Sequence, residues 1–546
     1  MRKAILFFVA GVVAAAGVEI VPLPLECKET GEELVLTRGT RVVSEPADLA
    51  VAGFVRRDWR RIAGAAGKQD DAKPAKAGRI LLKLDPSLNR LGEEGYELRT
   101  GKNGVEMKAP SEAGLFYAWQ TLKQLMPPEV YAPHPPETKE WRIEGLEIRD
   151  MPRFAWRELM VDISRHYFGP EVLEQVIDWM AMHKLNRLHL HLTDNDAWRI
   201  EIQRYPELAE KGGVGCHCIF SRKNKAHRSQ MIPSQPGGCP GGYETKPAYL
   251  TKQDVRKLAA YAAERHVVIV PEIDVPGHSA AVNRVFPELG DGKDTLNIGN
   301  PATYRFLENV FSEVAAMFPG PYLHLGGDEV WKGPWMHLPE VKAMMREKGF
   351  KTPNEMQHYF VRHFVDLIKS KGKIPMGWDD IAEAGVDKTA ILDWWRCKNP
   401  EARDRAVRKG YRIVICPADY AYFDYPYEMG ARGAFWAGMR NGPNTSKLIY
   451  RWRPVPGKFT PQEKARVLGL QANVWTEFIE TPSRLEFMLF PRLSAFAERA
   501  WSPDSARDFT SFEKRMKSQI RRYDALGVNR HGRRSQVSGS SSKSKP

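Results

Sequence analysis

The rhythm of hydrophobic positions changes near residue 150, and the change divides the chain. Before it, short alternating runs at Leu34–Thr37, Arg41–Ser44 and Arg79–Leu84 predict strands, and Asp48–Ala66 carries the apolar spacing of an amphipathic helix. Gly95–Thr100 and Gly104–Ala109 flank Lys102-Asn-Gly104, a hairpin signal, and Glu112–Leu125 reads as a second amphipathic helix. Residues 18–148 are therefore expected to form a small α+β domain without obvious chemical residues. The proline-rich stretch Leu125–Glu140 leads out of it.

From Trp156 onward, apolar strand-like runs alternate with amphipathic helices. The strands are expected at Glu158–Ile163, Arg187–Leu192, Val267–Ile273, Tyr322–Leu325, Ile374–Trp378, Ala390–Trp394, Arg412–Cys416 and Leu468–Val474. Helices are expected at Pro170–His183, Lys252–Arg265, Tyr304–Met317, Asn354–Ser370, Glu401–Lys409 and Ser483–Trp501. Eight strands in βα order predict an α/β catalytic unit, a closed (β/α)₈ TIM barrel over residues 149–505. The span is roughly 350 residues, long for a fold of typically ~250. The excess falls in loops that follow strands, Gly212–Pro247 and Tyr420–Pro461, on the face where such barrels keep their active sites.

The strand ends carry the chemistry. The first ends in Asp162, Ser164, Arg165 and His166, and the second runs into Asp194, Asp196 and Trp198. The third gives Glu272, Asp274 and His278, and the fourth gives Gly326, Gly327, Asp328 and Glu329. The fifth gives Trp378, Asp379 and Asp380, and the sixth Asp393, Trp394, Trp395 and Arg396. The seventh leads to Tyr422 and Asp424, and the eighth to Asn473, Trp475 and Glu477. Acids walled by indoles suit a carbohydrate, because flat aromatic faces stack on sugar C–H faces while carboxylates and arginines take the hydroxyls. Adjacent Asp328 and Glu329 repel each other unless one is protonated or both have partners, as in an acid/base pair.

Single residues keep plainer readings. His189 and His191 share a strand face and could hold a metal, but lie before the strand end and read as buried, hydrogen-bonded rings. Asp162, Glu272 and Asp274 each read as supporting or structural acids. Trp394 and Trp395 must point opposite ways in a strand, and Trp395, nearer the rim, is expected to face the pocket.

Composition adds limits. With 42% hydrophobic residues the chain is ordinary globular protein. Its formal net charge of +14 comes without a basic helix interleaved with aromatics, so nucleic acid is not an expected partner. Residues 1–17 read as a secretory signal: Arg2 and Lys3, the apolar run Ala4–Val13, then Ala14-Ala-Ala-Gly17. An uncleaved anchor is the alternative, and no later stretch reads as a membrane span. An exported location (periplasm, surface or medium) permits disulfides among Cys27, Cys216, Cys218, Cys239, Cys397 and Cys416, and sequence does not select a pairing. Cys216, Cys218 and Cys239 stand open between a loop disulfide, thiols and zinc, whereas Cys416 is expected in the core. Residues 506–546 form a basic C-terminal extension whose Ser/Lys-rich end, Ser535–Pro546, is expected to be disordered.

Leu323-His-Leu-Gly-Gly-Asp-Glu-Val330, Asp162-Ile-Ser-Arg-His166, Arg187–Arg199, Pro271–His278, Met376-Gly-Trp378 and Gln471–Glu477 together resemble the motifs of family 20 glycoside hydrolases, the exo-acting β-N-acetylhexosaminidases. The resemblance covers roughly residues 150–505 and, more weakly, residues 18–148, which look like the domain that often precedes this barrel. It implies hydrolysis of terminal GlcNAc or GalNAc by a substrate-assisted retaining mechanism, without cofactor or metal. Glu329 would be the general acid and then the base. Asp328 would orient the 2-acetamido group and stay ionised, while Glu329 would carry a raised pKa. Arg165 would bind ring hydroxyls, Tyr422 the acetamide carbonyl, and Asp424 and Glu477 the outer hydroxyls. Trp378, Trp395 and Trp475 would form the acetamide pocket and sugar platform. Asp194 and His278 would tune Glu329. The sequence departs from the commonest form at Phe423, before Asp424, and in the loop Gly212–Pro247.

Two other readings compete. A metal-dependent barrel hydrolase would use His189, His191, His278 and Asp328, and a non-catalytic glycan-binding protein would keep the pocket without turnover.

Overall fold

Strand pairing in the computed structural model, which describes residues 18–64, 78–134, 136–215, 246–434 and 442–533, resolves two sheets. The first is six-stranded, with β1 (Glu26–Thr37), β2 (Arg41–Glu45), β3 (Arg79–Leu84), β4 (Tyr96–Gly101), β5 (Gly104–Ala109) and β6 (Glu140–Asp150) in the order β1-β6-β4-β5-β3-β2. The β4–β5 hairpin turns at Lys102-Asn103, and Gly104, the first residue of β5, has φ 115°. Helices Ala50–Ala63 and Glu112–Leu125 cover this sheet, and Ser111 caps the second by accepting from the Ala113 N–H.

Two strands exceed the sequence expectation. β1 starts at Glu26 rather than Leu34, and β6 was not anticipated. In β6 the inward alternation Trp141, Ile143 breaks at Gly145 and resumes at Leu146, Ile148. The break sits opposite the irregularity between Glu29 and Glu33 of β1, so a bulge masks the period of two on both strands.

The second sheet is a closed barrel of β7 (Trp156–Asp162), β8 (Arg187–His191), β9 (Val268–Glu272), β10 (Tyr322–His324), β11 (Ile374–Trp378), β12 (Ile391–Trp394), β13 (Arg412–Ile415) and β14 (Val467–Val474). All neighbours are parallel, and β14 returns to β7. The intervening helices begin where Pro170, Pro301, Pro353, Pro400 and Pro482 occupy a first turn that has no use for their missing N–H. The helix expected over Ser483–Trp501 is two, Pro482–Leu489 and Arg492–Trp501, because Pro491 cannot donate the bond that would join them.

Inside the barrel, Trp156, Val270, Met376, Ile391 and Val414 pack as an apolar plug at the lower end. The same strand faces continue upward as Glu158, His189, His191, Glu272, His324, Asp393, Gln471 and Asn473, all buried. A polar layer therefore lies directly under the C-terminal rim.

The two sheets are locked by buried ion pairs. Lys184 Nζ donates to Asp150 Oδ2 at 2.9 Å, and Arg157 pairs with Glu94 at 2.7 Å. A helix at Phe509–Leu526, inside the segment expected as a basic extension, lies against both: Arg515 pairs with Glu498, and Arg522 donates to the carbonyls of Gln124 and Glu19. The expected signal at 1–17, Cys216, Cys218, Cys239 and the tail Ser535–Pro546 lie outside the described residues. Cys416 is buried and donates to the Trp394 carbonyl.

Candidate active site

β10 is short, and the backbone after it turns sharply. Gly326, Gly327 and Glu329 have φ of 70°, 97° and 44°. A side chain at Gly326 would run into the Asp274 carboxylate, so only glycine fits there. Across the turn, His278 also has left-handed backbone, φ 49°. Such conformations in non-glycine residues cost about 1–3 kcal/mol each and gather at working sites. Asp328 and Glu329 thus diverge through this turn rather than through strand pleating, which ends at His324.

The result is a cavity of about 580 Å³ at the C-terminal ends of the barrel strands. Arg165, Asp194, His278, Asp328, Glu329, Trp378, Trp395, Tyr422, Trp475 and Glu477 all line it. Asp424 does not reach the lining; it is fully buried beside Glu477, and neither of its oxygens has a hydrogen-bond partner among the described residues. A larger cleft of about 880 Å³ lies at the opposite end, near Glu93, Glu94, Arg187 and Pro321. Strands start there, and the fold does not place chemistry on that face.

Arg165 is held from several sides. Its guanidinium lies 2.7 Å from Asp194, 3.4 Å from Asp162, 3.6 Å from Asp196 and 3.9 Å from Glu477, over the Trp475 ring. Burial works against its charge, but these carboxylates outweigh it and push the pKa well above the usual value. The Trp378 and Trp475 ring centroids are 5.8 Å apart, and Tyr422 contacts Trp475. Trp378 Nε1 donates to Glu272, and Trp395 Nε1 to Asp380 at 3.1 Å. Trp394 points away, with Arg403 over its ring.

His278 connects the acids. Nδ1 is 3.2 Å from Asp194 Oδ1; Nε2 is 3.6 Å from Glu329 Oε2 and 3.8 Å from Asp328 Oδ2. Burial opposes protonation of this ring, yet Asp194 prevails and its pKa stands well above the usual value.

The carboxyl pKa values reverse the sequence expectation. His278 holds Glu329 below the ordinary carboxyl range. Burial, then the Asp274 carboxyl, pushes Asp328 well above it. Exposure sets only the burial cost: the Glu329 side chain is 59% exposed and that of Asp328 11%, so His278 decides the first and desolvation the second.

The residues of the metal reading do not converge. His189 and His191 both bind Glu272 below the cavity, whereas His278 and Asp328 face each other across its wall. Sequence reasoning underplayed Asp274, which lines the cavity with a pKa pushed by burial to about 7. It missed Lys398, Asn399 and Tyr425, which also line it. Lys398 and Asn399 directly follow the sixth strand end, so counting on past Arg396 would have found them.

Both parts of the chain match one family of known proteins. The catalytic domain of glycosyl hydrolase family 20 matches residues 154–504, and domain 2 of that family matches residues 17–151. A β-N-acetylhexosaminidase of Cellulomonas fimi is 30% identical, over 94% of this chain and 96% of that one. A β-hexosaminidase of Porphyromonas gingivalis is 31% identical over 94% of this chain, which spans 64% of that protein's length. Among solved structures, a Vibrio harveyi exo-β-N-acetylglucosaminidase in complex with N-acetylglucosamine superposes with a TM-score of 0.80 at 28% identity, covering 95% of this chain and 79% of that one. A mutant Streptomyces plicatus β-hexosaminidase in complex with GlcNAc superposes with a TM-score of 0.77 at 30% identity, covering 96% and 98%. With its barrel and the domain before it both matched, the chain belongs to glycosyl hydrolase family 20.

Proposed function

We propose that the chain is an exo-acting β-N-acetylhexosaminidase that removes terminal, non-reducing β-linked GlcNAc or GalNAc. The observation that carries this is the joining of Asp328 and Glu329, through His278, at one wall of a tryptophan-lined cavity. The cavity would seat the terminal sugar ring, with Trp378, Trp395 and Trp475 supplying flat faces and Arg165 and Glu477 supplying hydroxyl partners.

In the reaction the substrate's 2-acetamido oxygen attacks the anomeric carbon as the glycosidic C–O bond breaks. Glu329 gives its proton to the leaving oxygen. Asp328 accepts the acetamide N–H and balances positive charge on that nitrogen. Tyr422 donates to the acetamide oxygen and aims it. Water then opens the oxazolinium ion at the anomeric carbon, and Glu329 takes its proton, so configuration is retained.

The reversed pKa order fits this cycle. A sugar seated against Glu329 excludes water from its exposed carboxyl and raises its pKa toward the protonated acid. The charge developing on the acetamide nitrogen draws Asp328 the other way, into the carboxylate. Asp424, buried behind Glu477, would support the outer hydroxyls through Glu477 rather than by touching the sugar. That role is consistent with a buried carboxyl lacking hydrogen-bond partners among the described residues.

Arg2, Lys3 and the apolar run Ala4–Val13 support export. Among the described residues no helix is long and apolar enough to cross a membrane. A thiazoline that mimics the bicyclic intermediate is expected to inhibit competitively at concentrations well below the substrate KM. Absence of inhibition contradicts the acetamide route.

A further inference from the structure

The cavity stands on a buried layer of ionisable groups that the reaction scheme leaves without a task. Glu272, on β9, is the hub. Its Oε1 accepts from Trp378 Nε1 at 2.8 Å and lies 3.0 Å from His324 Nδ1. Its Oε2 lies 3.0 Å from His189 Nε2 and 2.6 Å from His191 Nδ1. The other nitrogen of His191 faces Asp194 Oδ2 at 3.0 Å. From there Asp194 and His278 continue the line to Glu329.

We propose that Glu272 is a positioning residue for catalysis: through His191, Asp194 and His278 it sets the ring beside Glu329, and through Trp378 it sets the wall of the acetamide pocket. The last step of that statement rests on the hexosaminidase reading above.

An ionised carboxylate accepts hydrogen bonds and donates none. His191 has one carboxylate at each nitrogen, so both nitrogens donate and the ring is an imidazolium. Asp194 in turn lies between that cation, His278 and Arg165. His278 has Asp194 at hydrogen-bond distance from one nitrogen, and the Glu329 and Asp328 carboxyls stand at ion-pair distance, 3.6 and 3.8 Å, from the other. Charge alternates from the centre of the barrel to the cavity, and each link sets the protonation of the next. Other groups face this line. Asp162 and Asp274 act on His191 and His278. Asp393 lies 3.5 Å from His324 and 4.0 Å from His189. Burial alone would discharge His191; the Glu272 carboxylate outweighs it. A buried ion cluster gains little stability over apolar packing of the same volume, so stability alone does not account for these charges.

Glu272→Gln keeps the size and the acceptor for Trp378 but removes the charge. The test is histidine-ring NMR titration of the wild type, Glu272→Gln and Glu272→Asp, beside kcat and KM on an aryl N-acetyl-β-glucosaminide. In the wild type His191 is expected to remain imidazolium through neutral pH. In Glu272→Gln His191 is expected to be neutral there, and the acid dissociation constant of His278 to rise at least tenfold. Its kcat is expected to fall about tenfold, the scale seen when second-layer partners of a site are removed. KM should stay within about twofold, since substrate contacts remain. Glu272→Asp, which retains the charge, is expected to restore the His278 titration. An unchanged His278 titration in Glu272→Gln overturns the proposal. So does a neutral His191 in the wild type, a result that requires no variant to fold. Wild type without turnover would contradict the hexosaminidase reading alone, because the ring titrations still decide the role of Glu272.

Discussion

Asp328 and Glu329 are neighbours in sequence but face different media: the Asp328 side chain is 11% exposed and that of Glu329 59%. The left-handed backbone at Glu329 produces this split. One carboxyl is thereby set for the buried 2-substituent and the other for the leaving group, which must depart toward solvent.

Glu329→Gln removes the proton donor and keeps the shape. Turnover of substrates with poor leaving groups is expected to fall about 10²–10⁴-fold, the usual range for a lost general acid. Aryl substrates with highly acidic leaving groups should lose much less in their first step. Steady-state kinetics across a leaving-group series checks this; a uniform loss contradicts the role.

Asp424 gives a prediction in stability. Burial, then the Glu477 carboxyl, raises its pKa in the folded state above the unfolded value. A raised folded pKa favours the fold at low pH, and that contribution disappears as pH rises through the folded pKa. Asp424→Asn is therefore expected to melt higher than wild type at pH 8, by the order of 1–3 kcal/mol for a buried unsatisfied group. The gain should vanish in acid. Thermal melts across pH measure it, and the same variant should show a raised KM.

Asp150 tests the junction between the sheets. It receives Lys184 Nζ, Tyr96 OH and Trp501 Nε1, all buried. Asp150→Ala strands the Lys184 ammonium, and a loss of about 3–5 kcal/mol is expected, as for other broken buried pairs. Denaturant unfolding reads it directly. A change below 1 kcal/mol would mean that Lys184 is not charged there.

The barrel was legible because parallel strands with helices on the outside leave long apolar runs, and because Pro marks so many helix starts. Ile374–Trp378 and Glu112–Leu125 match the structure end for end. What escaped the reading is tertiary. The β1 bulge opposite Gly145, the break at Pro491 and the order of the two carboxyl pKa values depend on neighbours far away in sequence. Asp328 is perturbed by burial and then by Asp274, and Glu329 by His278, both residues on the loop after β9. The cluster of Glu272 with His189, His191 and His324 was equally hidden, since each residue alone reads as ordinary strand interior.

Activity is expected to survive excess EDTA, because His189 and His191 are both engaged by Glu272 rather than turned toward His278 and Asp328. Loss of activity that zinc restores would favour the metal reading.

The central claim is that the sugar supplies its own nucleophile. Hydrolysis of an aryl N-acetyl-β-glucosaminide beside the matched aryl β-glucoside, which differs only in lacking the acetamide, tests it most directly. The account predicts rapid cleavage of the first and a kcat/KM for the second lower by about 10³-fold or more, in line with a lost intramolecular nucleophile. Comparable rates on the two substrates would contradict it.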